Sequence, residues 1–350
     1  MIDLLIAGAG PAGLATALYA AQSGLEAVVV DPRADSGGGT SVTGTPIDKA
    51  CGEGLMPGAV RALERLGVHP AGRTFRGIGY HCAGHAPAEA TFRSGAGLGT
   101  RRTTLHTELL RAVLRAGVMV QPVAVKDIQQ DDDRVTAAGH TARYLVAADG
   151  LHSPITRSLG LDRPVRGARQ RWGLRRHFAR SPWTDLVEVH WSPRAEAYIT
   201  PVGSDLVGVA ILSGERASFE EQLIRFPALA EQFAGVERGP VRGAGPLRRR
   251  TSQRVAGRVL LVGDAAGYVD ALTGEGIAVS LACGRSLVEC VAAGRTADYE
   301  KRWLRESRRY RSITSSLLWA SGQPTLRRAL VPAARTAPWL FSAAVQQLAR

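Results

Sequence analysis

The sequence has few of the residues that mark aromatic binding platforms, disulfide frameworks or zinc sites. Aromatic residues make up 6% of the 350 residues, and only four cysteines are present. Cys283 and Cys290 lie on one predicted helix, and their Cα atoms would be about 10 Å apart, too far for a disulfide. No cysteines have the CxxC spacing of a zinc site. We therefore expect no metal site and a reducing, cytoplasmic location.

Lysine is also scarce, with only Lys49, Lys126 and Lys301, although the formal net charge is +13. The charge is concentrated in residues 301–350, which hold ten basic residues and one acid, Glu306. The use of arginine for lysine is typical of a GC-rich genome, whereas the concentration would also suit docking to a membrane or a redox partner. No nucleic-acid-binding motif accompanies the charge, so we expect no nucleic-acid partner.

The N-terminal residues have the pattern of a βαβ unit that binds a dinucleotide. Residues 2–7 and 26–30 are predicted strands, and residues 14–23 are a predicted helix. Between them lies Gly8-Ala9-Gly10-Pro11-Ala12-Gly13, whose glycines permit a tight turn, close approach of a pyrophosphate and close helix packing. The helix N-terminus offers free N–H groups to phosphate. Asp31 follows the second strand, where a carboxylate can accept hydrogen bonds from ribose hydroxyls.

Four later segments decide which dinucleotide is bound. Residues 258–264 form a predicted strand ending in Gly263-Asp264, and Thr273-Gly274-Glu275-Gly276-Ile277 opens a helix. Residues 147–154 contain Asp149-Gly150, and Arg102-Thr103-Thr104-Leu105 opens another helix. With the N-terminal motif, these segments resemble the p-hydroxybenzoate-hydroxylase-like flavoprotein superfamily. The resemblance implies an FAD cofactor.

Each motif has a physical role in such a site. A strand ending in Asp264 can direct a carboxylate at the ribityl hydroxyls, and the loop before Ile277 can direct backbone N–H groups at the flavin. Asp149 has a structural alternative, in which it holds its own turn. The cofactor contacts implied by the resemblance are Gly8, Gly10, Pro11, Ala12, Gly13, Asp31, Pro32, Arg33, Cys51, Gly52, Arg102, Asp149, Gly263, Asp264, Gly274, Gly276 and Ile277.

Two segments resemble the geranylgeranyl-reductase-like branch of this superfamily. They are Lys49-Ala50-Cys51-Gly52-Glu53-Gly54 and residues 273–277. The aromatic hydroxylases usually have histidine where this chain has Gly267. In the reductase branch the Cys-Gly loop lies against the flavin, so the resemblance implies the same for Cys51 and Gly52. The alternative is that Cys51 is a small buried hydrophobic residue.

A predicted antiparallel sheet covers the flavin and forms the substrate lobe. Its strands are predicted at residues 171–180, 186–191, 195–201 and 206–212. The candidate pocket residues are Tyr198, Trp191, His190 and His177, for which ordinary packing or a structural hydrogen bond is the alternative. Cys51, Tyr198 and His190 are the candidate catalytic residues. The Tyr-x-Trp-x-Phe-Pro of the reductase branch is reduced to one aromatic and Pro201, so its prenyl substrate does not carry over.

The electron donor and the C-terminal segment are less specified. No second glycine-rich βαβ unit is present for NAD(P)H, because Gly37-Gly38-Gly39 lies in a predicted loop. NAD(P)H is the expected donor, binding transiently over the flavin, and a separate reductase is the alternative. Residues 297–348 are predicted to be helical, either as a cover over the substrate lobe or as an amphipathic membrane-surface element.

The expected fold is α/β with α+β elements. A Rossmann-like FAD-binding domain is interleaved with an antiparallel-sheet substrate domain and is followed by a helical C-terminus. The predicted domain boundaries are 1–75, 95–165 and 250–295 for the FAD-binding domain, 76–94 and 166–249 for the substrate domain, and 296–350 for the C-terminal segment.

We expect an FAD-dependent oxidoreductase, and its first expected reaction is monooxygenation of an apolar or aromatic small molecule in specialised metabolism. An ene-reductase that saturates carbon–carbon double bonds is the second reading, because of the resemblance at Cys51 and Gly274–Ile277. The third is an electron-transfer or accessory flavoprotein without turnover, with the basic C-terminal segment as its docking surface. The expected location is cytoplasmic, with peripheral membrane contact as the alternative.

Overall fold

A computed structural model describes residues 1–34, 45–165 and 170–350, so Gly37-Gly38-Gly39 lies outside the described residues. The strands are β1 (Ile2–Ala7), β2 (Ala27–Val30), β3 (Gly54–Leu55), β4 (Arg73–Phe75), β5 (Gly77–Cys82), β6 (His85–Thr91), β7 (Gly97–Gly99), β8 (Met119–Gln121), β9 (Ile128–Gln130), β10 (Val135–Ala137), β11 (His140–Ala147), β12 (Asp162–Arg163), β13 (Trp172–Phe178), β14 (Leu186–Trp191), β15 (Ala195–Pro201), β16 (Val207–Ser213), β17 (Arg242–Ala244), β18 (Arg250–Thr251), β19 (Val255–Ala256) and β20 (Val259–Leu261). The α-helices are α1 (Pro11–Gln22), α2 (Pro57–Arg65), α3 (Arg102–Arg115), α4 (Pro154–Ser158), α5 (Phe219–Leu223), α6 (Pro227–Gln232), α7 (Gly276–Ala292), α8 (Tyr299–Gly322), α9 (Pro324–Thr336) and α10 (Pro338–Leu348).

The first sheet joins strands from distant parts of the chain. Its order is β19-β20-β11-β1-β2-β8, and β1 pairs in parallel with both β11 and β2. Leu4, Leu5 and Ile6 of β1 are fully buried, so both faces of this strand are covered. The expected Rossmann-like unit is confirmed, although α1 begins at Pro11 rather than at residue 14, since proline suits the first helical position.

Helices α1 and α7 pack closely against each other beside this sheet. A Cβ added to Gly284 of α7 would lie 2.7 Å from Thr16 Oγ1 of α1, so the glycine permits the close approach. A Cβ added to Gly263 would lie 2.7 Å from Ala12 Cβ. The segment before α7 therefore lies directly against the N-terminus of α1.

The second sheet has seven strands in the order β17-β13-β16-β15-β14-β5-β6. Two of the four predicted strands, β14 and β15, have the expected bounds. The other two are found as β13 and β16, with bounds that differ from the predicted ones. The sheet is not wholly antiparallel, because β14 pairs in parallel with β5, a strand that comes from a much earlier part of the chain. The domain boundaries themselves stay a prediction.

The C-terminal segment, predicted to be helical, folds into the three helices α8, α9 and α10. Prolines begin α9 and α10, and proline favours the first turn of a helix over its interior. Gln346 of α10 donates to Thr91 O of β6 (2.6 Å) and accepts from Arg93 N (2.8 Å), so this helix lies against the edge of the seven-stranded sheet. Val331 and Phe341 are buried against Val187 and Val189 of that sheet, which agrees with a helical cover.

None of the helices that the structure describes combines the length and the hydropathy that crossing a membrane requires.

Candidate active site

The loop Gly8–Gly13 is shaped by contacts between backbone atoms. Gly8 has a φ of +117°, and a Cβ at this position would strike the carbonyl oxygen of Ala148. A Cβ at Gly13 would overlap the carbonyl oxygen of Gly8. By contrast, no heavy atom lies within 4 Å of a Cβ added to Gly10. The two outer glycines therefore close the turn, and the middle one leaves its backbone open to a ligand.

Asp31 is tied to this loop by hydrogen bonds. Its Oδ2 accepts from Ala9 N (2.9 Å), and its Oδ1 accepts from the backbone and side chain of Arg33 (2.9 and 3.2 Å). Burial alone would raise the pKa of Asp31, but the hydrogen bonds from Arg33 and Ala9 outweigh burial and lower it. Arg33 Nη2 also donates to Oδ2 (3.2 Å), so a ribose hydroxyl would have to replace one of the hydrogen bonds from Arg33 to reach the ionised carboxylate.

His106 fixes the same loop, although the sequence analysis missed it. Its Nε2 lies 3.0 Å from Ala9 O, and because a carbonyl can only accept, Nε2 carries the proton. Burial, followed by the charge of Arg102, lowers the pKa of His106 to about 4, so the ring is neutral. The sequence did contain an indication of this position, because residues four apart share one face of a helix and His106 lies four positions after Arg102 on α3.

The Asp149-Gly150 motif meets the loop from the other side. Asp149 Oδ2 accepts from Ile155 N (3.2 Å), which supports the structural role. Its Oδ1 is buried without a hydrogen-bond partner among the described residues, so it is also available to a ligand. A Cβ added to Gly150 would lie 3.4 Å from Lys49 Nζ. Burial lowers the pKa of Lys49, and the charges of Arg33 and Arg102 lower it further. The charges of Asp264 and Asp31 oppose this decrease.

The Gly263-Asp264 motif and the start of α7 complete this side of the site. Burial raises the pKa of Asp264, while the nearby cations Lys49 and Arg102 oppose the increase. Gly274 has a φ of +68°, and a Cβ there would lie 3.3 Å from Met56 Cε. Ile277 is partly buried in the first turn of α7. The predicted motif segments therefore converge on one region.

The loop Cys51–Gly54 is held by side chains from other elements. Thr200 Oγ1 of β15 donates to Gly52 O (2.8 Å). Glu53 has a φ of +59°, and its buried carboxylate accepts from Arg102 N (2.8 Å) and lies 2.6 Å from His177 Nε2. Two distant strands, β13 and β15, and the first residue of α3 therefore fix the conformation of this loop. His177, which was predicted to line the pocket, helps to hold this loop through its contact with Glu53.

Cys51 lies inside this loop as a partly buried free thiol. The backbone N–H of Glu53 points at its Sγ, with an N–S distance of 3.4 Å. Burial raises the pKa of Cys51, and the charge of Arg102 opposes that increase. The thiol, rather than the thiolate, is therefore the dominant form at neutral pH.

The two faces of the seven-stranded sheet separate the remaining candidates. Tyr198 OH donates to Leu272 O (2.8 Å), so Tyr198 and Thr200 share the face toward the Cys51 loop. Trp191 packs in the cluster on that face. His190 pairs with Ala197, which belongs to the core on the opposite face. The structure therefore does not bring His190 together with Tyr198 and Cys51, because alternate residues of a strand point in opposite directions.

The family comparison bears directly on the ligand of this site. The FAD binding domain family matches residues 1–296 of the chain. The chain belongs to this family. It is an FAD-dependent oxidoreductase and an enzyme, which argues against the accessory role without turnover.

Similar proteins in this family are reductases. A menaquinone reductase of Mycolicibacterium smegmatis is 30% identical over 86% of this chain and 79% of its own length. A digeranylgeranylglycerophospholipid reductase of Methanopyrus kandleri is 27% identical over 87% of both chains. A solved mutant of the halogenase PltM in complex with FAD has a TM-score of 0.76 at 18% identity, over 99% of this chain and 82% of its own, and shares the fold. The resemblance to the p-hydroxybenzoate-hydroxylase-like superfamily and its reductase branch is confirmed.

The residues of this FAD-dependent enzyme fit a ligand with phosphates and hydroxyls. Arg102 Nη1 and Asp149 Oδ1 are buried without hydrogen-bond partners among the described residues, and buried polar atoms normally have partners. Gly10 and Gly52 leave space beside their backbones, since a Cβ on either would meet no heavy atom within 4 Å. Open backbone and unsatisfied donors and acceptors therefore lie in one region.

A cavity of about 690 Å³ adjoins Asp264 and Gly276, between the segment that follows β20, α7 and α8. Its wall carries the arginines Arg248, Arg249, Arg250, Arg254, Arg308 and Arg311. The sequence analysis missed this cavity, because its cations come from two segments that only the fold brings together. Its charge suits an anionic ligand.

Proposed function

We propose that this enzyme reduces a carbon–carbon double bond of an isoprenoid lipid and that Cys51 donates the proton. The observation that carries the proposal is the thiol of Cys51, protonated and fixed between the cofactor lobe and the seven-stranded sheet. The two relatives are named as reductases of menaquinone and of a digeranylgeranylglycerophospholipid, and both molecules carry isoprenoid chains. Their names support this reading over monooxygenation, and over the expectation from the sequence that a prenyl substrate does not carry over.

The proposed cofactor contacts follow from the geometry. The loop Gly8–Gly13 and the N-terminus of α1 would hold the pyrophosphate of FAD, with Asp31 at a ribose. Asp264 would face the ribityl chain, and Arg102 and Gly276 would lie by the flavin ring. When bound, FAD supplies the electron pair for the reduction.

The protein must supply the proton, because saturation of a double bond adds a hydride and a proton. Burial keeps Cys51 protonated, so its S–H can be transferred to the substrate carbon. The nearby charge of Arg102 and the N–H of Glu53 would stabilise the thiolate that remains. Water would then return the proton to Sγ.

The part of this sheet face that β5 and β14 form is apolar, which suits an isoprenoid chain, whereas the part next to the Cys51 loop carries Arg175 and His177. Val187, Val189 and Trp191 are buried in one cluster with Ile78, and Tyr80 stacks edge-on to Trp191 at 5.5 Å. Val331 and Phe341 of the C-terminal helices pack in the same cluster, so an isoprenoid chain would have to displace them to bind there.

We further propose that the C-terminal helices contact an anionic membrane surface, where isoprenoid lipids reside. Trp319, Trp339 and Leu340 are 65%, 73% and 57% exposed, and Arg328 and Arg335 of α9 are exposed as well. Exposed tryptophan with arginine is typical of interfacial helices. Sedimentation with vesicles tests this: binding to phosphatidylglycerol vesicles should weaken in Trp339→Ala, and absence of binding by the unaltered protein would refute the contact.

The function is tested with FAD-loaded protein under anaerobic conditions, with menaquinone or digeranylgeranylglycerophospholipid as substrate. Reductant is supplied as dithionite or as NADPH, the proposed donor, whose phosphates suit the arginine-lined cavity. We expect products that have gained two hydrogen atoms, detected by mass spectrometry. If the product forms with dithionite but not with NADPH, only the proposal that NADPH is the electron donor is refuted.

Variants at two cysteines test the proton donor. Cys51→Ala should lower the rate about 100-fold, since general acids contribute at least that much. Cys82→Ala is the matched control, because Cys82 is also a partly buried free thiol but lies in β5, away from the Cys51 loop. Equal rates in both variants would show that Cys51 is not the donor.

Monooxygenation is the second candidate function. The aromatic surface of Tyr80, Trp191 and Tyr198 favours it, because oxygen chemistry also needs a site from which water is excluded. A product that gains an oxygen atom in air, with no saturated product under anaerobic conditions, would establish it in place of the reductase.

A further inference from the structure

A cluster of two histidines and a glutamate lies on the opposite face of the seven-stranded sheet from Cys51. Residues His81 of β5 and His190 of β14 are neighbours in the parallel pair, and their rings stack with centroids 4.5 Å apart. Glu188 lies two residues before His190, so both side chains point to the same face. The reaction proposed above uses none of these three residues.

The three side chains converge on one point. His190 Nε2 lies 2.8 Å from Glu188 Oε2, and His81 Nε2 lies 3.9 Å from Glu188 Oε1. One ligand atom from each residue falls within 4.8 Å of the other two. Ligand atoms around Zn²⁺ lie about 2.0–2.2 Å from the ion, so two ligands of one ion are at most about 4.4 Å apart. A small rotation of the His81 ring would bring all three ligand atoms within that distance. We propose that His81, Glu188 and His190 form a binding site for a divalent transition-metal ion, with Zn²⁺ as the best match.

The surroundings hold this donor set in place. Opposite Glu188 in the pairing lies Gly79, and a Cβ there would be only 3.1 Å from His81 Nε2, so the glycine makes room for the ring. Trp183 Nε1 donates to Glu188 Oε1 (2.9 Å) and orients the carboxylate, as outer hydrogen bonds do in known metal sites. Glu89 of β6 pairs with Gly79 and lies on the same face, where it can supply a further oxygen.

The exposure of these side chains also suits a metal ion. The side chains of His81 and His190 are 25% and 18% exposed, so an ion can reach them from solvent, while that of Glu188 is 9% exposed.

The site would clamp together two segments that are distant in the chain. The pair of β5 and β14 joins the hairpin of residues 77–91 to the strands of residues 172–213. A bound ion would bridge this junction and stabilise the fold by mass action. The sequence analysis expected no metal because it considered cysteine spacing, which does not report on histidines of different strands.

Calorimetric titration of the metal-stripped full-length protein with Zn²⁺ tests the proposal, and native mass spectrometry counts the ions. We expect one Zn²⁺ per chain and a rise in melting temperature on binding. His81→Ala and His190→Ala should weaken binding at least about tenfold, as disrupted metal sites do. His85→Ala, an exposed histidine on the adjacent strand, should bind as the unaltered protein does.

Glu188→Gln covers the case in which a histidine variant fails to fold. Its amide oxygen can still accept from Trp183 Nε1, so the fold should persist while Zn²⁺ binding weakens. No binding by the unaltered protein, or full binding by Glu188→Gln and both histidine variants, would overturn the proposal. The proposal would also be overturned if His85→Ala lost the bound ion while the variants of His81, Glu188 and His190 retained it.

Discussion

The two loops that meet at the active site are held in different ways. The loop Gly8–Gly13 is fixed mostly by backbone contacts, since a Cβ at Gly8 or Gly13 would strike a carbonyl oxygen. The loop Cys51–Gly54 is fixed by side chains of β13 and β15 and by the backbone N–H of Arg102 in α3, through Glu53 and the carbonyl of Gly52. The first loop therefore depends on the absence of side chains at Gly8 and Gly13. The second depends on hydrogen bonds from residues that are distant in the chain.

This difference determines how each loop should respond to substitution. Backbone packing tolerates no added atom, so the first loop should fail abruptly and at particular glycines. A hydrogen-bonded loop loses its contacts one at a time, so the second should fail gradually. The substitutions below test that contrast.

The largest effect is expected at Gly13. Gly13→Ala places a Cβ on the carbonyl oxygen of Gly8, and we expect a loss of more than about 3 kcal/mol in the free energy of unfolding. Gly10→Ala is the matched control, because its Cβ meets no protein atom, and it should lower FAD affinity about tenfold while changing stability by less than about 0.5 kcal/mol. Urea unfolding and FAD titration measure the two quantities. Equal destabilisation by both variants would contradict the backbone-packing account.

A smaller effect is expected at Glu53. Glu53→Ala leaves Arg102 N and His177 Nε2 without their acceptor in a buried region, and we expect a cost of about 3 kcal/mol in urea unfolding. Glu220→Ala removes a carboxylate that pairs with Arg176 at the surface, and should cost less than about 1 kcal/mol. Similar costs for the two variants would show that Glu53 does not hold the second loop.

The smallest effect is a pH dependence at His106, the one side chain described above that holds the first loop through Ala9 O. Its pKa is lowered to about 4 in the fold from 6.5, so the unfolded chain binds the proton more tightly. The free energy of unfolding should therefore fall as pH drops below 6.5, by about 2 kcal/mol at about pH 5. His106→Gln, which can still donate to Ala9 O, should remove this loss.

The control for that prediction is the exposed His69, because His69→Gln should retain the acid sensitivity. Urea unfolding at several pH values measures the slope for each variant. An unchanged slope in His106→Gln would place the source of the acid sensitivity elsewhere in the protein.

The comparison of these loops also shows which parts of the site were predictable. The Gly8–Gly13 loop, Asp149, Asp264 and Gly276 could be recognised from the sequence, because each follows a strand or opens a helix and its role depends on adjacent residues. His106 and Glu53 were missed. Their roles depend on Ala9, Arg102 and His177, and sequence order does not reveal such contacts.

The substrate sheet shows the same division. Alternation along the chain predicted β14 and β15 with the observed bounds, because strand formation depends on local pattern. It did not predict that β5 pairs with β14, or that His190 faces away from Tyr198. The sequence by itself determined the fold class, the FAD-binding unit and the motifs that contact each other through the backbone. Only the tertiary structure decided which face each side chain occupies and which distant residues hold the Cys51 loop, because strand pairing and side-chain hydrogen bonds join residues far apart in the chain.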